Sequence, residues 1–198
     1  MSLIQDIENL LPQTQCQACG YAGCRPYAQA LVAKEASINQ CPPGGIKTLQ
    51  ALGERLNQDW RPFEKDMRTQ QRPAGSIIID DKTCIGCTKC IQACPVDAII
   101  GSAKTLHQVI PWECTGCGLC IEPCPVDCIE WVPTETIQYD KQKARLRFEA
   151  AQMRKEQHER EKQLQYLEKS RLNTPGETSK KDYIQEALLR VKNKKNSS

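Results

Sequence analysis

The chain has 198 residues, of which 39% are hydrophobic, 26% are charged and only 5% are aromatic. Such a chain has room for one ordinary domain or two small ones, and few large side chains to fill a core. No run approaches the roughly 18 apolar residues that a membrane span needs, and the N-terminus lacks a secretory signal pattern. The sequence therefore predicts a cytoplasmic protein, in which 13 cysteines favour metal or redox chemistry over structural disulfides.

The net charge of +3 conceals a division of the chain. Residues 1–140 carry 11 basic and 16 acidic side chains together with all 13 cysteines, whereas residues 141–198 carry 16 basic and 8 acidic side chains. We therefore expect an acidic, cysteine-bearing body that attracts basic redox partners, followed by a basic tail over residues 136–198.

Residues 1–57 are predicted to form a small helical domain. Apolar spacing predicts one helix before Pro12, a second that starts near Pro26 and ends near Ser37, and a third over residues 46–56. Four cysteines lie among these helices: Cys16, Cys19, Cys24 and Cys41. Their spacing alone indicates a four-thiolate metal site, with zinc as an open alternative to iron–sulfur. The polar residues 58–75 are predicted to be a linker.

An internal repeat dominates residues 76–135. The sixteen residues from Cys84 to Ile99 are echoed without a gap by those from Cys114 to Ile129, and ten positions are identical. Short β-rich segments flank both halves. A repeat of this kind predicts two pseudo-symmetric halves with one site in each.

The repeated pattern C-x2-C-x2-C-x3-C-P is the bacterial run that binds 4Fe-4S clusters. Because its fourth cysteine ligates the other cluster, the ligands are predicted to cross between the halves. One cluster is assigned to Cys84, Cys87, Cys90 and Cys124, and another to Cys114, Cys117, Cys120 and Cys94. A pair of zinc sites fits this spacing poorly. The remaining cysteine, Cys128, aligns with Ala98 and is predicted to be a small buried residue.

The first 135 residues resemble the B-type iron–sulfur subunit of the Rnf/Rsx electron transport complex. The resemblance rests on the run from Leu10 to Tyr27, on the segment from Ile38 to Gly45, and on the two-cluster module that follows. It implies that Cys16, Cys19, Cys24 and Cys41 bind a third 4Fe-4S cluster. Members of this family usually begin with a membrane helix, whereas this sequence starts at the amphipathic segment before the first cysteines.

The remaining polar residues offer no catalytic group. His107 and His158 are predicted to be solvated or packing residues, and Asp97 and Asp127 to cap equivalent turns. Residues 140–172 are predicted to be a mostly solvated helix with a thin apolar stripe, broken at 173–176. A shorter amphipathic helix is predicted after the capping box that starts at Ser179.

The expected fold is α+β: a small helical 4Fe-4S domain, a ferredoxin-like domain with two 4Fe-4S clusters, and a helical tail. The expected function is single-electron relay through three clusters, as a B-type subunit of a complex that couples electron transfer to ion translocation. A peripheral place on the cytoplasmic face of the inner membrane follows from that reading. The alternatives are a freestanding soluble ferredoxin and, more remotely, a nucleic-acid-binding or assembly protein with structural metal sites.

Overall fold

The computed structural model describes residues 2–172 and 182–189. The helices are α1 (Leu3–Leu10), α2 (Cys24–Val32), α3 (Gly45–Leu56), a 3-10 turn (Arg61–Phe63), α4 (Glu64–Gln70), α5 (Lys89–Ala93) and α6 (Lys141–Leu172). The strands are β1 (Gly75–Ile79), β2 (Ile99–Ile100), β3 (Gln108–Val109) and β4 (Ile129–Pro133). This mixture of helices and short strands confirms the α+β expectation. No helix within the described residues has the length and apolar character needed to cross a lipid bilayer.

The strands form two small antiparallel sheets that reflect the sequence repeat. β1 pairs with β4, from Gly75 opposite Pro133 to Ile79 opposite Ile129. β2 pairs with β3, with Ile99 opposite Val109. Each sheet thus joins the segment that precedes one cysteine run to the segment that follows a run, and so fixes the ends of both runs.

Residues up to Gln152 form one compact unit that contains two hydrophobic clusters. The first cluster lies among α1, α2, α3 and α4, with buried residues that include Ile7, Tyr27, Leu31, Leu49 and Met67. The second contains apolar residues of the strands, six buried cysteines, and Ala144 and Phe148 from the start of α6. The buried face of α6 consists of Ala144, Phe148 and Ala151.

Three segments differ from the sequence-based expectations. α2 ends at Val32 rather than near Ser37, because Lys34 adopts a left-handed φ of 61° and the Glu35 amide returns to the carbonyl of Ala30 at 2.9 Å. The polar segment 58–75 contains α4, whose Met67 is buried in the first hydrophobic cluster. The start of α6, predicted from the sequence to lie in the tail, packs against the body.

From Met153 onward the chain forms a second unit. Side chains 153–170 of α6 are exposed, as are those of the helical residues 182–189. The expected solvated helix is therefore observed over residues 153–170, and helical residues are also observed at 182–189, within the shorter predicted helix. The predicted break at 173–176 and the start of the capping box at Ser179 lie outside the described residues.

Candidate metal centres

The four cysteines of the N-terminal group line one cavity. Cys16 and Cys19 lie on the loop after α1, Cys24 is the first residue of α2, and Cys41 precedes α3. Leu11, Pro12 and Pro42 are among the residues that complete the wall. Four thiols around a largely apolar cavity form a donor set that suits an iron–sulfur cluster.

Glutamine side chains hold the loop that carries Cys16. Gln13 and Gln15 have positive φ values of 61° and 57°, and both side chains are buried. The Gln13 amide donates to the carbonyl of Glu8 at 2.6 Å, and the Gln15 amide donates to Gln13 Oε1 at 2.9 Å. Gln15 Oε1 in turn accepts from the Cys24 amide at 2.8 Å. This chain of bonds connects α1 to the start of α2 and compensates for the strained backbone.

Gly23 leaves space for the side chains of Gln15 and Phe148. A Cβ at this position would lie 2.8 Å from Gln15 Oε1 and 2.9 Å from Cζ of Phe148. The absence of a side chain at position 23 therefore lets both the Gln15 side chain and the buried face of α6 approach the backbone beside Cys24.

A second cavity lies in the repeat region. Its wall includes four cysteines of the predicted crossed set: Cys94, Cys114, Cys117 and Cys120. Cys94 comes from the first half of the repeat and the other three come from the second half. Ile77, Val96 and Ile99 supply apolar wall. The structure thus brings together the thiols that the sequence pattern assigns to one cluster.

The remaining predicted set consists of Cys84, Cys87, Cys90 and Cys124, and the first three thiols are close enough to influence one another. Burial raises the pKa of Cys90, and charge on Cys87 and Cys84 raises it further. Burial opposes ionisation of Cys124, but the Val126 and Cys128 amides and the Cys128 thiol together hold its pKa below the ordinary value.

Cys128 lies against the set of Cys84, Cys87, Cys90 and Cys124. Its side chain is buried, as the sequence predicted, and its Sγ is 3.5 Å from Sγ of Cys124. Burial, followed by contact with Cys124 and then with Cys84, raises the pKa of Cys128 to about 12. One thiol from each half of the repeat therefore influences the pKa of Cys128.

In the part of the chain that is described, no group of three or more His, Cys, Asp or Glu side chains is arranged to hold a single metal ion.

Burial keeps several candidate ligands protonated when no metal is bound. It raises the pKa of Cys24, Cys41 and Cys120 to about 12, and that of Cys117 to about 11. Thiolate is the form that ligates a metal, so occupation of these sites must displace protons.

Hydrogen bonds connect the wall of the first cavity to Thr115 of the repeat region and to Tyr139, which follows that region. Thr115, in the wall of the second cavity, donates from Oγ1 to the carbonyl of Thr14, in the wall of the first, at 2.9 Å. The Tyr139 hydroxyl donates to the carbonyl of Pro12 at 2.8 Å. With its hydrogen thus used, the Tyr139 oxygen accepts from Thr14 Oγ1 at 3.2 Å.

The two halves of the repeat differ in exposure at equivalent positions. Thr115 follows Cys114 and is 5% exposed. Ile85 follows Cys84 and is 58% exposed. The cysteine loop of the second half is therefore covered by the N-terminal segment, whereas that of the first half faces solvent.

The two histidines have different environments. His158 is exposed on α6, whereas His107 is buried, with Nδ1 3.1 Å from Sγ of Cys90. The sequence predicted a solvated or a packing role for His107, and its burial excludes the solvated role.

Asp97 and Asp127 both have φ of 50°, a left-handed turn conformation that aspartate tolerates. Sequence reasoning missed the supporting roles of Gln13, Gln15, Thr115 and Tyr139, since none belongs to a ligand pattern.

Comparison with known proteins identifies both cysteine-rich regions. Residues 77–131 match the family model of a 4Fe-4S dicluster domain, and residues 11–43 match one described as "Putative Fe-S cluster". Together with the thiol-lined cavities, these matches define the chain as an iron–sulfur protein of the ferredoxin type.

Similar proteins share one name, that of the B-type subunit of the ion-translocating oxidoreductase complex. The protein from Alkalilimnicola ehrlichii is 53% identical over 133 residues, which are 67% of this chain and 72% of that protein. The protein from Shewanella loihica is 56% identical over 137 residues, covering 69% and 71%. That from Azoarcus sp. is 49% identical over 108 residues, covering 54% and 58%. The chain belongs to this family of B-type subunits of the ion-translocating oxidoreductase complex, which confirms the Rnf/Rsx resemblance. In several of these matches the chain spans little more than half of the relative's length.

Proposed function

We propose that this chain relays single electrons through three 4Fe-4S clusters. The observation that carries the proposal is the grouping of thiols: two cavities are each lined by four of the cysteines predicted to act together. When bound, a cluster of this kind accepts and releases one electron at a time. With four thiolates assigned to each cluster, no iron position is left for a substrate.

The proposed ligands follow the sequence pattern. The first cluster is held by Cys16, Cys19, Cys24 and Cys41; the second by Cys84, Cys87, Cys90 and Cys124; the third by Cys94, Cys114, Cys117 and Cys120. We assign the first cluster to a domain of residues 1–57 and the other two to a ferredoxin-like domain of residues 76–135. The largely apolar walls of the cavities would limit the access of water to a bound cluster, which influences its reduction potential.

The contacts also support an order for the three centres. The Thr115–Thr14 hydrogen bond joins the wall of the first cavity to that of the Cys94–Cys114 cavity. The Cys84 loop, with Ile85 exposed, is the one that a redox partner can approach. The proposed path therefore runs from the N-terminal centre through the Cys94–Cys114 centre to the Cys84 centre, or in the reverse direction.

We further propose that the chain works as one subunit of a complex that couples electron transfer to ion translocation. The names of its relatives support this assignment. Other subunits of the complex are then its redox partners, and its attachment to the cytoplasmic face of the membrane is peripheral.

An anaerobic redox titration of the full chain tests the relay. Three one-electron steps in the electron paramagnetic resonance spectrum are expected, with spin interaction between neighbouring reduced centres. A colourless protein with stoichiometric zinc would contradict the proposal.

Cell fractionation tests the assignment to a complex. We expect the protein to stay with the membranes through a high-salt wash. Recovery of the whole pool in the soluble fraction at low salt would instead indicate a freestanding ferredoxin.

A further inference from the structure

His107 and Ile77 occupy equivalent positions of the repeat but meet different centres. They are thirty residues apart, and each lies seven residues before the first cysteine of a run. Ile77 lines the cavity of Cys94, Cys114, Cys117 and Cys120. His107 instead contacts Cys90, a predicted ligand of the other centre in the repeat region. The repeat therefore places an apolar side chain at one centre and a polar one at the other.

A cluster bound by Cys90 would define the direction of the hydrogen bond between Cys90 and His107. Nδ1 of His107 is 3.1 Å from Sγ of Cys90, and both side chains are buried. A ligating thiolate carries no hydrogen and can only accept, so Nδ1 must carry the hydrogen and donate it. Gly101 provides the space for the ring, because a Cβ there would lie 2.5 Å from Cδ2 of His107.

Packing alone does not account for a histidine at this position. Nε2 of His107 is buried and has no hydrogen-bond partner among the described residues. An unpaired buried nitrogen opposes folding, and an apolar side chain would avoid that cost. Ile77 shows that the fold accepts such a side chain at the equivalent position, where it is also buried. The contact with Cys90 is the interaction that an isoleucine could not make.

We propose that His107 donates a hydrogen bond to Cys90 that raises the reduction potential of the centre bound by Cys84, Cys87, Cys90 and Cys124. Hydrogen bonds to cluster sulfur stabilise the reduced state, which carries the additional negative charge. The Cys94–Cys114 centre, with Ile77 in the matching place, lacks this donor. The inference rests on the proposed function, and it makes the Cys84 centre a better electron acceptor than it would be with an apolar side chain at position 107.

Replacement of His107 in the full chain tests the hydrogen bond. We expect His107→Ile to lower one of the three midpoint potentials, so that the ratio of reduced to oxidised centre at a fixed potential falls about threefold to tenfold. Tenfold corresponds to about 59 mV for a one-electron centre. His107→Asn keeps an N–H donor near the position of Nδ1 and is expected to restore most of the potential. The readout is a redox titration followed by electron paramagnetic resonance.

The matched control is Ile77→Val, which alters the equivalent position without adding or removing a donor. It is expected to leave the potential of the Cys84 centre unchanged. Unchanged potentials in His107→Ile, or an equal fall in His107→Ile and His107→Asn, would overturn the inference.

A measurement on the native site covers the case in which a His107 variant fails to bind its cluster. With ¹⁵N-labelled histidine and His158→Gln, which removes the chain's other histidine, pulsed resonance should detect ¹⁵N coupling to one reduced centre. A reduced protein without that coupling would contradict the hydrogen bond. An unaltered chain that binds no clusters would contradict the proposed function itself.

Discussion

Individual residues determine whether the candidate ligands carry protons. Cys24 and Cys41 face a largely apolar cavity, and burial raises both pKa values to about 12. The buried amides of Gln13 and Gln15 hold the neighbouring backbone in left-handed conformations. The chain thus positions thiols whose charge is unfavourable until metal binds, which couples metal binding to proton release.

Thiolate absorbance should reveal these raised pKa values in the metal-free chain. Cysteine ordinarily ionises near pH 9.0, so we expect fewer thiolates in the native chain than in denaturant at about pH 10. Because the raised thiols hold their protons only when folded, the free energy of unfolding should fall as the pH rises above about 9. Superimposable titrations of native and denatured chain would contradict the buried thiols.

Loss of a single ligand should affect a single centre. We expect Cys41→Ala to remove the N-terminal cluster and to leave the two of the repeat region, because Cys41 lines only the first of the two cysteine-lined cavities. Spin quantitation of the reduced protein measures the change. Cys128→Ala is the matched control and should retain all three centres, since Cys128 is assigned no ligand role. Loss of every cluster in Cys41→Ala would contradict independent sites.

The sequence predicted the cysteine groups because ligand spacing is a local property of the chain. It did not predict the environment of His107, which depends on the pairing of β2 with β3 and on the space left by Gly101. Nor did it predict that Thr115 meets Thr14, a contact between residues about a hundred positions apart. Such long-range contacts leave no periodic signal.

At the scale of the elements, segment 58–75 connects the two cysteine-rich regions by direct contacts. The Arg72 amide donates to the carbonyl of Pro42 at 3.1 Å, and its guanidinium donates to the carbonyl of Cys117 at 3.3 Å. The same guanidinium lies 5.0 Å from the centre of the Trp131 ring. The segment is therefore hydrogen-bonded to the carbonyl of Pro42, beside Cys41, and to that of Cys117. A flexible linker would not form such bonds.

Loss of the Thr115–Thr14 hydrogen bond should have a larger effect than a substitution at Ile85, the equivalent position in the first half of the repeat. We expect Thr115→Val to destabilise the protein by about 1–2 kcal/mol, because the Thr14 carbonyl loses its buried donor. Electron transfer between the first centre and the Cys94–Cys114 centre should also slow. Ile85→Val, at the exposed equivalent position, should change neither property. Thermal unfolding and reduction kinetics of the two variants test this, and equal effects would contradict the order of centres.

At the scale of the whole molecule, α6 belongs partly to the body and partly to the tail. Its sequence predicted a mostly solvated helix with a thin apolar stripe that includes Leu146 and Met153, and both of these side chains are exposed. The buried face is instead Ala144, Phe148 and Ala151. Two of these three side chains are alanines, which give a weak hydrophobic signal, so the sequence did not indicate that the start of α6 packs on the body.

Truncation should distinguish the two parts of α6. Removal of residues 153–198 is expected to leave the clusters and the stability of the body unchanged. Removal of residues 141–198 also deletes Phe148, whose burial contributes roughly 1.5–3 kcal/mol, and should lower the unfolding temperature. Iron content and thermal unfolding of the two truncated chains provide the comparison. Equal stability would contradict the packing of α6 on the body.

The most direct test of three clusters is the metal content of the anaerobically purified full chain. We expect about twelve iron atoms and about twelve acid-labile sulfides per chain, with no stoichiometric zinc. About eight irons with one zinc would contradict the cluster assigned to Cys16, Cys19, Cys24 and Cys41. Zinc in place of iron throughout would contradict electron transfer altogether.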